Sequence, residues 1–161
     1  MKKVLFLLTT LLIGGMMLTG CKKPEPTPEP EPEPTPTSTR VAYVVSNTSG
    51  GKVMSECFKL NVTYLGANNQ EVTENGITLP WTKVVEVSSP FHAKMTGELV
   101  YNAEELPDTV IFGKPHGIGY YNGATLVVEL IGGLGTGSKQ NFLNMMAQDP
   151  TKLQFTQEKD F

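Results

Sequence analysis

Cysteine, histidine and tryptophan are scarce in this chain, and beyond residue 39 its basic residues never cluster. Cys21 and Cys57 are the only cysteines, too few for a disulfide framework. The two histidines, His92 and His116, stand far apart with no further ligands at zinc-site spacing. From Arg40 to Lys159 the basic residues are scattered singly, which excludes the basic stripe that nucleic-acid binding requires. No apolar run reaches the ~20 residues that span a bilayer. The longest, Val4 to Leu18, is weakened by Gly14-Gly15.

That run has a different use. Lys2 and Lys3 precede it and small residues end it, the order of a secretory signal. Leu18-Thr19-Gly20-Cys21 resembles the lipobox of bacterial lipoproteins. The resemblance implies cleavage before Cys21, a signal peptide over 1–20, and lipid attached to the new amino-terminal Cys21. Two or more acyl chains bind a membrane stably, so the expected location is the cell envelope, lipid-anchored, with the outer membrane as the expected membrane and its periplasmic and surface faces both open. With Lys2 and Lys3 gone, 11 of the 13 basic residues oppose 16 acidic ones, a net charge of −5.

Residues 21–39 form a linker. From Pro24 to Thr39 proline alternates with glutamate or threonine, a composition that cannot form a core. Such a stretch favours extended polyproline II at ~3.1 Å per residue and is expected to act as a stalk.

Residues 40–161 read as one β domain. Phe58-Lys-Leu-Asn-Val-Thr-Tyr-Leu65 puts Phe58, Leu60, Val62 and Tyr64 on one face, and Phe91 to Tyr101 repeats the alternation. Further strands are expected at 41–46, 71–79, 81–87, 109–112, 117–121, 124–131 and 152–156. Asn122-Gly123 suits a tight hairpin turn. Short strands punctuated by Gly, Asn and Pro argue for an all-β, antiparallel β-sandwich. One short C-terminal helix is expected, capped by Ser138, carrying Phe142, Leu143, Met145 and Met146, and stopped at Asp149-Pro150.

The segment Asn61 to Val87 resembles the core of the mycobacterial membrane protein small (MmpS) family and related bacterial lipoproteins. Tyr64, Gln70, Val72, Leu79, Pro80 and Trp81 carry the resemblance. It implies an immunoglobulin-like or transthyretin-like sandwich and an association with envelope lipid transporters. This chain departs from the family at Asn68-Asn69, where a glycine-containing turn is expected, and in the long stretch after Tyr101.

The chemical motifs are thin. Gly132 to Lys139 has the strand-loop-helix setting of a phosphate cradle, but Ser138-Lys139 stands where a P-loop needs Gly-Lys-Ser or Gly-Lys-Thr. It is read as a flexible connector, and no cofactor is expected. His92 and His116 are expected to be solvated, His116 in a turn. Cys57 is expected to be a half-buried thiol without a catalytic partner. Glu104, Glu105 and Asp108 form an acidic loop that could hold calcium or simply face water. Asp108-Thr109-Val110 resembles the acceptor of bacterial protein O-glycosylation, which marks Thr109 as a possible site. Trp81 is expected in the core, with an exposed ligand platform as the sharper alternative. Nothing here spells an enzyme. The reading is a monomeric, membrane-anchored binding or accessory domain for a protein or glycan partner, with a transporter accessory and an envelope hydrolase as alternatives. Its binding loops are sought at Asn102 to Asp108 and Gly132 to Ser138.

Overall fold

The computed structural model describes residues 38–161; the expected signal peptide, the expected lipid attachment at Cys21 and the proline-rich stretch to residue 37 lie outside the described residues. In chain order come β1 (Ser38–Val45), the short hairpin β2 (Thr48–Ser49) and β3 (Lys52–Val53), β4 (Phe58–Leu65), β5 (Glu71–Ile77), β6 (Trp81–Ser88) and β7 (His92–Tyr101). After a 3-10 turn follow β8 (Thr109–Gly113), β9 (His116–Asn122), β10 (Thr125–Val127), β11 (Leu134–Ser138), helix α1 (Lys139–Gln148) and β12 (Gln154–Asp160).

The long strands form two four-stranded antiparallel sheets, in the orders β10-β9-β1-β6 and β12-β7-β4-β5, and β8 pairs with β11 separately. They pack as an all-β sandwich. The period-two pattern dictates this: in β4, Phe58, Leu60, Val62 and Tyr64 are buried while Lys59, Asn61 and Thr63 face outward. Across the interface stand Val41, Tyr43 and Val45 of β1, Trp81 and Val87 of β6, and Ile118 of β9. Burying each such side chain stabilises the fold by roughly 1.5–3 kcal/mol. The first two long strands, neighbours in an immunoglobulin sheet, lie here in opposite sheets.

Helix α1 closes one end of the sandwich. The Ser138 hydroxyl accepts from the Asn141 N–H at 3.3 Å, as an N-cap should. Phe142 is the helix's anchor, packed edge-on against Phe58 and Tyr101 and tilted against Phe112. At the opposite edge Tyr64 lies between Tyr43 and Trp81, with ring centroids 5.2 and 5.6 Å away. There the Glu74 carboxylate accepts from the Tyr64 hydroxyl, the Trp81 indole and the Lys83 ammonium. This ties edge strand β5 to edge strand β6 and turns a charge inward, which discourages pairing with other chains.

Four sequence expectations need correction. Gly132 to Ser138 is no flexible connector: Leu134 to Ser138 is β11, paired residue for residue with β8. The expected strand 124–131 is regular only from Thr125 to Val127, with Ile131 returning to bridge His116. Gly117 and Gly119 explain the gap. A Cβ at Gly117 would stand 2.5 Å from the Glu129 carbonyl oxygen, and one at Gly119 would drive into the Val127 carbonyl. Without side chains there, the chain from Val127 to Leu130 lies over the outer face of β9. The hairpin turn is Gly123-Ala124 rather than Asn122-Gly123, since Asn122 already pairs with Thr125 and Gly123 has φ +61°. Finally, His116 is neither in a turn nor solvated. It begins β9 between Val45 and Ile131 and is buried; pairing on both sides outweighs the turn signals of Pro115 and Gly117.

Candidate functional site

Three surface features bring polar side chains together. The first is a cleft of about 480 Å³ where the Gly132–Gly135 backbone faces the end of α1 and the 3-10 turn Pro150–Leu153. Phe112, Met145 and Leu153 supply apolar lining; Lys114, Asp149, Thr151 and Lys152 supply the polar groups. The glycine wall carries no side chain to fill the space. Lys114 donates to the Gln154 carbonyl, and the Lys152 ammonium stands 3.7 Å from the Asp149 carboxylate.

Asp149 is committed to structure. Its carboxylate accepts from the Thr151 hydroxyl at 2.6 Å and the Thr151 N–H at 3.0 Å, capping the turn. These hydrogen bonds, with a smaller contribution from Lys152, hold its carboxyl below the ordinary range. A carboxylate so stabilised is a weak base. Two ammonium groups against one carboxylate leave the cleft locally cationic on an acidic chain.

The second feature is the outer face of the sheet β12-β7-β4-β5. Its register sets Thr73, Thr63, Thr96 and Thr156 in one row across all four strands. Asn61, Glu98 and Gln154 form the adjoining row, around a groove of about 280 Å³. The Thr63 and Thr73 hydroxyls bond each other at 2.9 Å. Further along the face, His92 meets Asp160 at 2.7 Å and Lys94 meets Glu158 at 2.8 Å. His92 is therefore half-exposed and paired.

The third is the junction of the two loops sought from the sequence. The Asp108 carbonyl accepts from the Lys139 N–H at 2.9 Å, and Thr109 sits opposite Ser138. Asn102 to Asp108 thus meets the C-terminal end of the 132–138 segment. Asn102 caps the 3-10 turn Ala103–Glu105 and bonds the Glu105 carboxylate, leaving Glu104, Glu105 and Asp108 exposed. Thr109 is exposed as well. Among the described residues no group of three His, Cys, Asp or Glu could hold a metal.

The remaining candidates lie elsewhere. Trp81 is buried, 8 % exposed, its indole bonded to Glu74 at 3.3 Å, so it is core and no platform. Cys57 is a half-buried free thiol whose pKa is raised by burial, which keeps it protonated and weakly nucleophilic. The His116 ring stacks on Phe155 at 4.2 Å. Its Nδ1 lies 2.6 Å from the Lys114 carbonyl; a carbonyl only accepts, so Nδ1 carries the hydrogen. Burial lowers the His116 pKa.

Sequence reasoning pointed to Gly132–Ser138 but missed Lys114, Asp149, Thr151 and Lys152. Pro150 inside a helix-stop signal was the clue to a second turn, but nothing local showed which wall that turn would face. The fold and cleft define a small antiparallel sandwich with a backbone-walled, locally cationic surface site. No protein-family model matches the chain, and no curated protein matches it.

Proposed function

We propose that this chain is a cell-envelope lipoprotein, anchored through lipid on Cys21, that presents a non-enzymatic binding or accessory domain on a proline-rich stalk. The observation that carries the reading is the glycine-walled cleft, in which a rigid sandwich holds two lysines over an apolar floor. Its one hydroxyl–carboxylate pair, Thr151 and Asp149, is spent on capping a turn, which favours binding over catalysis. The lipobox resemblance supports the anchor, and the outer membrane is the membrane proposed for it. The MmpS-like segment Tyr64 to Trp81 supports a role as an accessory protein. Exposed Thr109 beside Asp108 suits O-glycosylation, which leaves the cleft free.

A second reading, accessory partner of an envelope lipid transporter, draws on one observation. Val84, Val127, Leu130 and Ile131 are exposed on or beside the sheet β10-β9-β1-β6, an apolar surface of the kind that marks partner contacts.

The mature protein, immobilised and exposed to detergent-solubilised envelope, tests the first reading. A stable protein or glycan should be retained, and the double substitution Lys114→Ala, Lys152→Ala should weaken retention about tenfold while lowering stability by no more than about 1–2 kcal/mol. Turnover of an envelope polymer, abolished by Asp149→Asn, would overturn it in favour of a hydrolase.

A further inference from the structure

A second pocket, remote in sequence from the cleft, lies beside the β2–β3 hairpin. Gly50 and Gly51 form its two-residue turn with φ of +57° and +75°, the left-handed pair that a tight hairpin needs. The hairpin is pinned at its base: the Met54 N–H donates to the Asn47 carbonyl at 2.7 Å, and Ser55 exchanges bonds with Ile111 of β8 through its N–H and hydroxyl, each 2.9 Å. A pocket of about 290 Å³ lies between this hairpin, the start of β4 and the Thr78-Leu79 turn.

The lining has two parts. Met54 and Phe58, both buried, and Leu79 are apolar, and Val53 joins them. Val53 is 55 % exposed, the most exposed large apolar side chain of the described residues. Beside these stand two groups of opposite charge, Glu56 and Lys59, both exposed. Lys59 is held by the Thr78 hydroxyl at 3.1 Å. Among the described residues neither Glu56 nor Lys59 has an ion-pair partner.

We infer that this pocket binds a free amino acid with an aliphatic or aromatic side chain. The apolar side chain covers Val53 and rests on Met54 and Phe58. The ligand's carboxylate meets the Lys59 ammonium and its ammonium meets the Glu56 carboxylate. The space is of the order that suits a small ligand, and the two opposite, unpartnered charges match a zwitterion rather than a lipid or a sugar. Charge-assisted hydrogen bonds at both ends fix its orientation.

The test uses the mature protein with methyl-labelled valine and methionine, followed by NMR during titration with L-leucine, L-phenylalanine, glycine, N-acetyl-leucine and leucinamide. Leucine and phenylalanine should shift the Val53 and Met54 methyl signals saturably at millimolar concentration, and glycine should not. Removing either ligand charge should weaken binding about threefold to tenfold, the range for partly exposed charged contacts. Glu56→Gln should weaken leucine binding but leave leucine-side loss on N-acetylation absent; Lys59→Met should do the same for leucinamide. Both positions are exposed, so an unchanged Tm checks folding. Absence of saturable shifts with any ligand overturns the proposal, as does binding that ignores both substitutions.

Discussion

The inner faces of β4 and β7 are held by side chains that fill the space between the sheets, whereas the outer face of β9 at Gly117 and Gly119 admits the following segment by the lack of them. In the first, Leu60, Val62, Tyr64, Met95 and Leu99 fill the space between the sheets. In the second, Gly117 and Gly119 leave the outer face of β9 bare, and the chain from Val127 to Leu130 occupies it. A polar group therefore breaks the interior of the first region, while a side chain added at Gly117 or Gly119 breaks the close approach in the second. Packing by complementarity and packing by vacancy fail under opposite substitutions.

The largest effect is expected where a charge enters the interdigitated region. Val62 is 2 % exposed, and Val62→Asp should cost about 3–5 kcal/mol through an unpaired buried carboxylate. A urea midpoint close to wild type would contradict this.

Enlargement should break the second region almost as severely. Gly119→Val should cost about 2–3 kcal/mol by overpacking against Val127 and Val128. The control is Gly133→Ala, whose Cβ would meet nothing within 4 Å and which should change stability by less than about 0.5 kcal/mol. Equal losses for the two variants in thermal unfolding would remove the distinction.

Glu74→Ala probes how the sandwich edge is closed. It leaves the Trp81 indole, the Tyr64 hydroxyl and the Lys83 ammonium without their acceptor. About 1–2 kcal/mol should be lost, and the emission of the lone tryptophan should shift. An unchanged emission spectrum would show that the carboxylate does not hold the indole.

The smallest effect is a pH dependence seated in His116. Burial depresses its folded pKa below the ordinary 6.5, so the unfolded chain takes up the proton first as pH falls. The stability present above 6.5 is lost progressively below that value and levels off once the folded form protonates too. The shifted carboxylates of Glu74, Asp149 and Glu158 begin to act only below their ordinary 4.5, 3.8 and 4.5. Chemical denaturation from about pH 7 to 5 should therefore show a slope in wild type that His116→Gln flattens.

The same contrast decides what the sequence made legible. Strands β4, β6 and β7 were readable because alternation records burial one residue at a time. Helix α1 was readable because Ser138 caps it and Asp149-Pro150 ends it. Strand β11 was missed since Gly135 and Gly137 carry no alternating side chains; its pairing with β8 is a matter of backbone. His116 was misplaced because its neighbours Pro115 and Gly117 carry turn signals, while the strands that bury it come from far along the chain. The hairpin β2–β3 was missed although Gly50-Gly51 suits a tight turn, its strands being two residues each. The cleft was half legible for the same reason: one wall is a glycine run, and the lysines that face it arrive from separate turns.

The most direct test of the binding account is an amide spectrum of the isotopically labelled mature protein, titrated with whatever partner the immobilised protein retains. The account predicts that the largest shifts fall on Gly132, Gly133, Gly135, Lys114 and Thr151, with the threonine row Thr73, Thr63, Thr96 and Thr156 unmoved. Shifts confined to that row, or to the exposed Val84 and Leu130 surface, would contradict it and place recognition on the sheet faces instead.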